Sequence, residues 1–556
     1  MAEERDNGRA FRGSDTTRAS VGIYQQDSST GAGDVDTFES PYKFVDRVGV
    51  VGVDVDLALG GGGGFSVALK ASLPRRQAGL ETRYREDDWV DIVFTREGEP
   101  SHVLRGMIDV PAAVSGTNAK TTVVSGRTFR KPLEITPIFY DPWSDGEVEG
   151  GAVTRIFDIH RAFLGPPDVV LDALIFGFLA DLGARGRANW TLPSGMVSRA
   201  ATPALWSKIA SPSAGTLSAP TLKIPARVGL RPDDPLVGPI VLSNPETIEE
   251  LTQRFGRGAA ARELLKTSQR FVHPLAYVKD FSNDPERGGV INPLTLNPYN
   301  QYVWSLAQEW SDAPICELFT DLVDGSGALL DPDGTSRATS TPGETRMAVV
   351  FRDRPFPTTS RAGESIDQGP WSRLPTAVVD WRDIGDGRAL ARSGAERFNA
   401  FLLAPKLFQE LIGVAHQLNR PLWDPDDIVV HGLRKMDVTA NYTSTSVPNA
   451  LGIANTYRER LRDIHCLNHE FFSGSLPLIR CRPDIRPGMK LVVTNYHGQG
   501  GIACFYIEAV SHRWRYKAGG QTTLGVTRGV IGGDDALYQA ILDAQKRYDL
   551  PAPRVV

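Results

Sequence analysis

The stretch Phe505–Gly529, FYIEAVSHRWRYKAGGQTTLGVTRG, constrains the fold more than any other part of the chain. Tyr506, Glu508, Val510, His512, Trp514 and Tyr516 fall at every second position. A strand places every second side chain on one face, whereas a helix repeats about every 3.6 residues. The alternation therefore predicts a long strand. Ala518–Gly520 supplies turn residues for a hairpin, and Thr522–Thr527 supplies the returning strand.

Other segments read the same way. KFVDRVGVVGVDVDLAL (Lys43–Leu59), Phe65–Ala71, Asp88–Phe94, Ser101–Asp109 and Thr121–Ser125 are short and β-rich, with turn residues between them. Such spacing predicts a small antiparallel barrel or sandwich. The glycine run Gly60–Gly64 lacks the GK[ST] that completes a phosphate-binding loop, so it reads as a hairpin tip. Strands return at Ile315–Val323, Met347–Phe351 and through the dense β region Leu476–Val530.

Between these lie segments of a different period. TRIFDIHRAFLG and DVVLDALIFGFLADLG space their apolar residues at three and four, which predicts helices from Thr154 onward. A further helix is expected over Pro245–Leu265, capped by Asn244 with acids in its early turns. Ala404–Leu418, Leu451–Phe472 and Asp535–Tyr548 also read as helical, as does the stretch from Val303, where Trp304, Leu306, Ala307 and Trp310 form an apolar face that Asp312 and Pro314 end. The order strands, helical insertion, strands recurs, but no tandem period does, which argues against a solenoid.

The fold class expected is α+β, with two antiparallel β-barrel modules carrying helical insertions. Its divisions are a flexible acidic arm (1–40), a first β module (41–135) and a mostly helical or loop insertion (136–298). A second β module follows in two parts (299–405 and 473–532), split by a helical insertion (406–472), and a C-terminal helix and tail close the chain (533–556).

Composition narrows the function classes. The chain has 556 residues, 41% of them hydrophobic, enough for several cored domains. Its 55 glycines and 38 prolines favour turns and short strands over long helices. Net charge is -5, against a broad basic face for nucleic acid, and residues 1–40 hold four Arg against eight Asp and Glu. The arm is polar and lacks apolar periodicity, so it is expected to order only against a partner. The longest apolar stretch, Val169–Ala180, is interrupted by Asp172 and Gly177 and falls short of a membrane span. No secretory h-region opens the sequence. Cys316, Cys466, Cys481 and Cys504 lack CxxC spacing and read as buried free thiols.

Three constellations could carry chemistry. His465 and His469 stand four apart with Cys466 and Glu470 nearby, a spacing able to hold a metal. HCLNHE does not place Glu470 between the ligands as a general base, so helix-face or interface histidines are the preferred reading. Glu508, Ser511 and His512 lie on one strand, where Ser511 faces away from the other two and no triad forms. The acid pairs Asp87–Asp88, Asp426–Asp427 and Asp534–Asp535 read as turn and cap acids, not as a glycosidase pair. No GxSxG elbow is present. No catalytic, cofactor-binding or metal residue is assigned, no cofactor is expected, and the chain reads as structural and not as an enzyme.

A set of ordered segments resembles the hub proteins of bacteriophage tails and contractile injection systems. These are DDWVDIVF, VLRGMIDV and TVVSGRTF; VWSLAQEWSDAPICELF (Val303–Phe319); MAVVFRDRPF (Met347–Phe356); AERFNAFLLAP (Ala395–Pro405); PLIRCRPDIRPGMKLVV (Pro477–Val493); and the Phe505–Gly529 hairpin. Together they cover most of Trp89–Gly529. Such hubs commonly carry Asp after the Gly-Arg pair, where Thr128 follows Gly126–Arg127 here. A turn is expected at Arg105–Gly106. The resemblance implies a homotrimer with two tube-like modules per chain, fitting a sixfold tail tube to a threefold spike or fibre around a genome channel. Implied partners are the tail tube protein, a central spike or tail-tip fibre protein, baseplate wedge or other tail proteins and the tape-measure protein. DNA would be met only in passage, with no stable membrane insertion. The place implied is the virion tail or baseplate, assembled in the host bacterial cytoplasm. The alternatives are a tail-tip cell-wall hydrolase and a receptor-binding tail protein.

Overall fold

The structure is a computed structural model of the chain. It describes residues 17–26, 42–70, 84–138, 275–280, 301–323, 346–356, 371–405, 421–440 and 450–548, with short breaks inside several of these ranges. Strands dominate, and most belong to one 13-stranded sheet.

The first part of that sheet uses β1 (Arg18–Gln26), β2 (Tyr42–Asp46), β3 (Val50–Ala58), β4 (Gly62–Lys70), β5 (Trp89–Arg96), β6 (Glu99–Ser115) and β7 (Lys120–Thr128). All pair antiparallel, in the order β3-β4-β7-β6-β5-β1-β2. Alternation sets which face is buried. Val53, Val55, Val67, Ile92, Phe94 and Val124 lie inside, where apolar area leaves water at about 25 cal/mol per Å2. The glycine run behaves partly as expected: Gly60 and Gly61 form the hairpin tip, while Gly62–Gly64 belong to β4.

The turn expected at Arg105–Gly106 is absent, because both lie inside the 17-residue strand β6. Glycine is required there by close approach and not by a turn. A side chain on Gly106 would collide with the Arg127 carbonyl, and one on Gly126 with the Met107 carbonyl. The chain leaves the sheet only after β7, through α1 (Lys131–Ile135).

The second part uses strands from far downstream: β13 (Thr376–Asp380), β14 (Ala389–Ala391), β18 (Phe472–Leu478), β19 (Lys490–Tyr496), β20 (Gly501–Arg515) and β21 (Gly519–Ile531). β20 is the bridge. Its first half pairs with β19, its second half pairs with β3, and β21 covers its other side. The turn after β20 sits at Tyr516–Ala518, slightly before the expected glycines, with Lys517 at φ 67°. Leu476, Leu491, Val493, Phe505, Ile507, Leu524 and Val526 form a separate core under this half.

Smaller sheets account for the remaining strands. β8 (Pro137–Ile138) pairs with β10 (Gln301–Tyr302). β9 (Leu275–Asp280), β11 (Cys316–Val323) and β12 (Arg346–Asp353) form one sheet. β15 (Ala400–Pro405), β16 (Leu422–Trp423) and β17 (Lys435–Ala440) form another. The antiparallel expectation needs correction at three places, since β12–β9, β13–β19 and β15–β17 are parallel. Parallel neighbours need long connections, and here each pair is far apart in sequence. β11 and β12, expected in the second module, stand in their own sheet.

Helices α2 (Val303–Trp310), α3 (Pro425–His431) and α4 (Ala450–His465) follow. α2 buries Trp304, Leu306 and Ala307, as its spacing predicted. α4 ends at His465, so the expected helix over Leu451–Phe472 is shorter, and Phe472 already begins β18. The helices expected at Thr154–Gly165, Asp168–Gly183, Pro245–Leu265 and 406–418 lie outside the described residues, whereas Ala404 and Pro405 belong to β15. Residues 275–280 of the insertion read as helical or loop form strand β9.

β1 corrects the reading of residues 1–40 as a flexible arm throughout. Its residues from Arg18 to Tyr24 pair in register with Thr95 to Trp89 of β5. Val21 and Ile23 are 4% and 1% exposed, and the Trp514 indole donates to the Thr17 carbonyl at 2.9 Å. Three apolar residues at alternate positions suffice because β5 already offers a paired edge. Amide hydrogen exchange should therefore show Ala19–Ile23 as slow as β5. Exchange there at the rate of an unstructured peptide would contradict the pairing.

Candidate assembly surface and buried junction

Register fixes which side chains share the outer face of the sheet around the β3–β20 seam. One row runs Ser125, Ser66, Asp54, Arg513, Gln521 across β7, β4, β3, β20 and β21. The next runs Arg127, Gly64, Asp56, Ser511, Thr523. A third places Arg515 opposite Gly52. None of these side chains is buried, whereas the intervening Val53, Val55, Val67 and His512 are at 0% exposure. The outer face is thus polar and carries both signs. Arg513 is directly opposite Asp54, and the Arg515 guanidinium donates to the Asp54 carboxylate at 2.8 Å. Arg127 is held by Asp109 and Glu134. No continuous basic stripe crosses these strands.

Beneath the sheet, buried ionic groups tie it to the β9–β11–β12 sheet. Arg352 of β12 donates to Glu317 at 3.1 Å, to the Gly488 carbonyl at 2.9 Å and to the Tyr506 hydroxyl at 2.9 Å. Tyr506 in turn donates to Glu317 at 2.7 Å. Burial pushes the Tyr506 hydroxyl well above its usual range, and Glu317 adds to it. Arg486 pairs with Asp321 of β11 and donates to the His102 carbonyl of β6 at 3.0 Å. His102 itself meets Asp91, which also accepts from Arg105 at 3.3 Å. Burial alone would raise the Asp91 carboxyl; Arg105 and His102 outweigh it and hold it at about 2. A cavity of about 20 Å3, lined by Arg105, Thr128, Asp321, Arg486 and apolar neighbours, lies at this junction. That is room for about one water molecule and not for a substrate.

The side chains considered for chemistry are placed as follows. His465 closes α4 and His469 lies in the following turn. The His465 Nε2 donates to the Pro314 carbonyl at 3.0 Å, and its Nδ1 lies 3.2 Å from the Asn468 amide. Both ring nitrogens are therefore engaged. His469 instead faces Glu470 at 3.6 Å. Among the described residues, no group of three His, Cys, Asp or Glu could hold a metal.

His512 Nδ1 lies 3.0 Å from the Thr522 hydroxyl across the hairpin, while Glu508 accepts from Thr527. The cross-strand reading thus describes both, and no triad assembles. Asp424 caps α3, and Asp427 accepts from Arg397 and Asn399. Asp426 lies in the first turn of α3, and Asp88 is buried. Asp87, Asp534 and Asp535 lie outside the described residues. The four cysteines are free and buried, as expected.

Burial, followed by Arg528 and Arg354, lowers the His465 imidazole to about 3. Burial, followed by Arg486, lowers His512 to about 4. Folded-state values below the ordinary 6.5 mean that the unfolded chain binds protons first. Stability from both groups is present above pH ~6.5 and lost as pH falls toward ~4. Denaturant midpoints should drop over that window, by less when His512 is replaced by glutamine. An unchanged midpoint between pH 7 and pH 5 would contradict the two neutral histidines.

Sequence alone gives the rows and the junction only in part. The alternation pattern marked the strands, but it did not say which strands are neighbours. The buried pair Arg486–Asp321 spans 165 residues, and no local spacing signals it.

No family model matches the sequence, and no curated protein matches it. Similar solved structures exist. The 43 kDa tail protein of prophage MuSo2 from Shewanella oneidensis has 11% identity over 94% of this chain and 98% of its own, with TM-score 0.39. A tail protein of Neisseria meningitidis MC58 has 11% identity over 94% of this chain and 99% of its own, with TM-score 0.43. An E. coli component of the type VI secretion system has 8% identity over 87% of this chain and 74% of its own, with TM-score 0.32.

Proposed function

We propose that this chain is a structural protein of a phage-type tail, a homotrimeric hub that joins a sixfold tail tube to a threefold spike or fibre. The observation that carries this reading is the fusion of two strand groups into one sheet through β20. Each group has its own core, so each behaves as a tube-like module, the two held rigidly side by side. Two modules per chain give six in a ring of three, which is what a symmetry adaptor requires. Six separate subunits of one module each could not present a different, threefold surface on the opposite side.

In this reading the mixed-charge outer rows line the conduit. Its partners are the tail tube protein, a central spike or tip fibre, neighbouring baseplate proteins and the tape-measure protein. The chain performs no catalysis, resides in the virion tail, and is assembled in the cytoplasm of the host. The buried ionic junction supports a rigid scaffold, because paired charges on both sheets resist sliding. Images of tail tips labelled on this chain test the proposal directly. Label at the junction of tube and tip supports it, and label on side fibres alone would overturn it.

A conduit should let phosphates pass. Anisotropy titration with duplex DNA at physiological salt should show weak, salt-sensitive affinity without sequence preference. Nanomolar binding would mark a specific DNA-binding protein and sink the passive-conduit reading.

A further inference from the structure

The far edge of the large sheet holds an arrangement that a conduit or a scaffold does not require. Residues 383–391 run antiparallel along β18. Ile479 donates to the Asp383 carbonyl, Gly385 donates to the Pro477 carbonyl, and Ala389–Ala391 pair with Ser475–Ser473. This run has β18 on one side and no strand on the other among the described residues. Two arginines flank β14. The Arg388 guanidinium lies 4.6 Å over the Trp381 ring, and that of Arg392 lies 4.3 Å over Phe472. Both arginines are exposed, and neither enters an ion pair among the described residues. Trp381 is fixed in turn by Tyr496 and His497, at 4.7 Å each.

Edge strands are commonly guarded by mobile charged side chains. Guards work by sweeping across the edge, whereas these two are stacked on rings. Stacking orients the planar guanidinium and leaves its N–H fork for a carboxylate. β14 itself is Ala-Leu-Ala, short and unbulky, with no proline to block pairing. We infer that this edge is a docking site for an extended polypeptide strand carrying carboxylates at the spacing of Arg388 and Arg392, a separation of about 13 Å in an extended chain. Main-chain hydrogen bonds to β14 supply affinity, and the two arginines select acidic residues on the incoming strand. Asp386 and Glu396, both exposed and near in sequence, oppose the dense charge of a polyphosphate backbone more than they oppose two isolated carboxylates.

The test uses the full chain and a fluorescent threonine–valine peptide bearing two glutamates at the matching spacing. The glutamate peptide should bind at least about tenfold more tightly than its glutamine counterpart. Arg388→Ala with Arg392→Ala should abolish that preference, and the double lysine variant should retain only part of it, because lysine keeps charge without the stacked fork. Both arginines are exposed, and thermal unfolding of each variant checks that the fold is intact. Equal binding of the two peptides, or none, overturns the inference. Preferential loss of single-stranded oligonucleotide binding in the alanine variant would make the edge a nucleic-acid surface instead. Increased self-association of that variant without peptide binding would make the arginines edge guards.

Discussion

Replacing Arg486 by methionine is expected to destabilise the chain by about 3–5 kcal/mol, because it leaves Asp321 buried without its counter-charge. Asp321 is 7% exposed, and burial already pushes its carboxyl upward despite Arg486. Without the arginine the carboxyl rises further. A folded-state value above the unfolded one gives stability that is present at low pH and lost as pH rises through it. The deficit of the variant should thus be smaller at pH 4 than at pH 8. Pairing the change with Asp321→Leu should restore much of the loss, since removing both charges leaves none unpaired. Equilibrium denaturation of the unsubstituted chain, the single variants Arg486→Met and Asp321→Leu, and the double variant measures it. A single Arg486→Met change costing under about 1 kcal/mol would show that the pair is not desolvated.

The second large effect concerns the aromatic cluster where the β11–β12 sheet meets β20. Trp371 is 1% exposed, with its ring 6.0 Å from Phe356 and 6.3 Å from Tyr506. Phe356 meets Tyr506 edge-on at 5.1 Å, and the Arg528 guanidinium lies 3.8 Å from the centre of the Phe356 ring. Trp371→Ala removes the largest member and should cost about 3–5 kcal/mol, transfer and cavity contributions together. Trp371→Phe should cost distinctly less, because part of the volume remains. Similar losses for both variants would mean that the indole's polar contacts matter more than its volume.

What the sequence made legible was the local pattern. Phe505–Gly529 alternates enough that strand, turn and return strand could be read from it, but register shifts at Cys504–Tyr506 and Ile507–Ala509 put Tyr506 in a different core from Val510, with which it was expected to share a face; α2 shows in the spacing of Trp304, Leu306 and Ala307. β1 escapes a sequence reading because RASVGIYQQ carries few apolar residues amid a polar stretch, and its partners in β5 are 65 to 77 residues away (Tyr24 to Trp89, Arg18 to Thr95). Gly106 was misread because glycine serves both turns and close strand approach, and only the neighbouring Arg127 carbonyl tells them apart. α3 has no buried residue and hence no apolar period; its signal is the capping Asp424 followed by Pro425. The parallel pairings and the buried ion pairs join distant segments, which local periodicity cannot encode. The β14 edge was equally silent, since Arg388 and Arg392 gain meaning only when Trp381 and Phe472 lie beneath them.

The hub we propose is a ring of three chains. Its direct test is the mass of the native assembly, by light scattering on the purified protein and on hubs released from particles. The chain is 60.6 kDa, so the expected species has three times that mass. Stable monomers or dimers from assembled tails would contradict it.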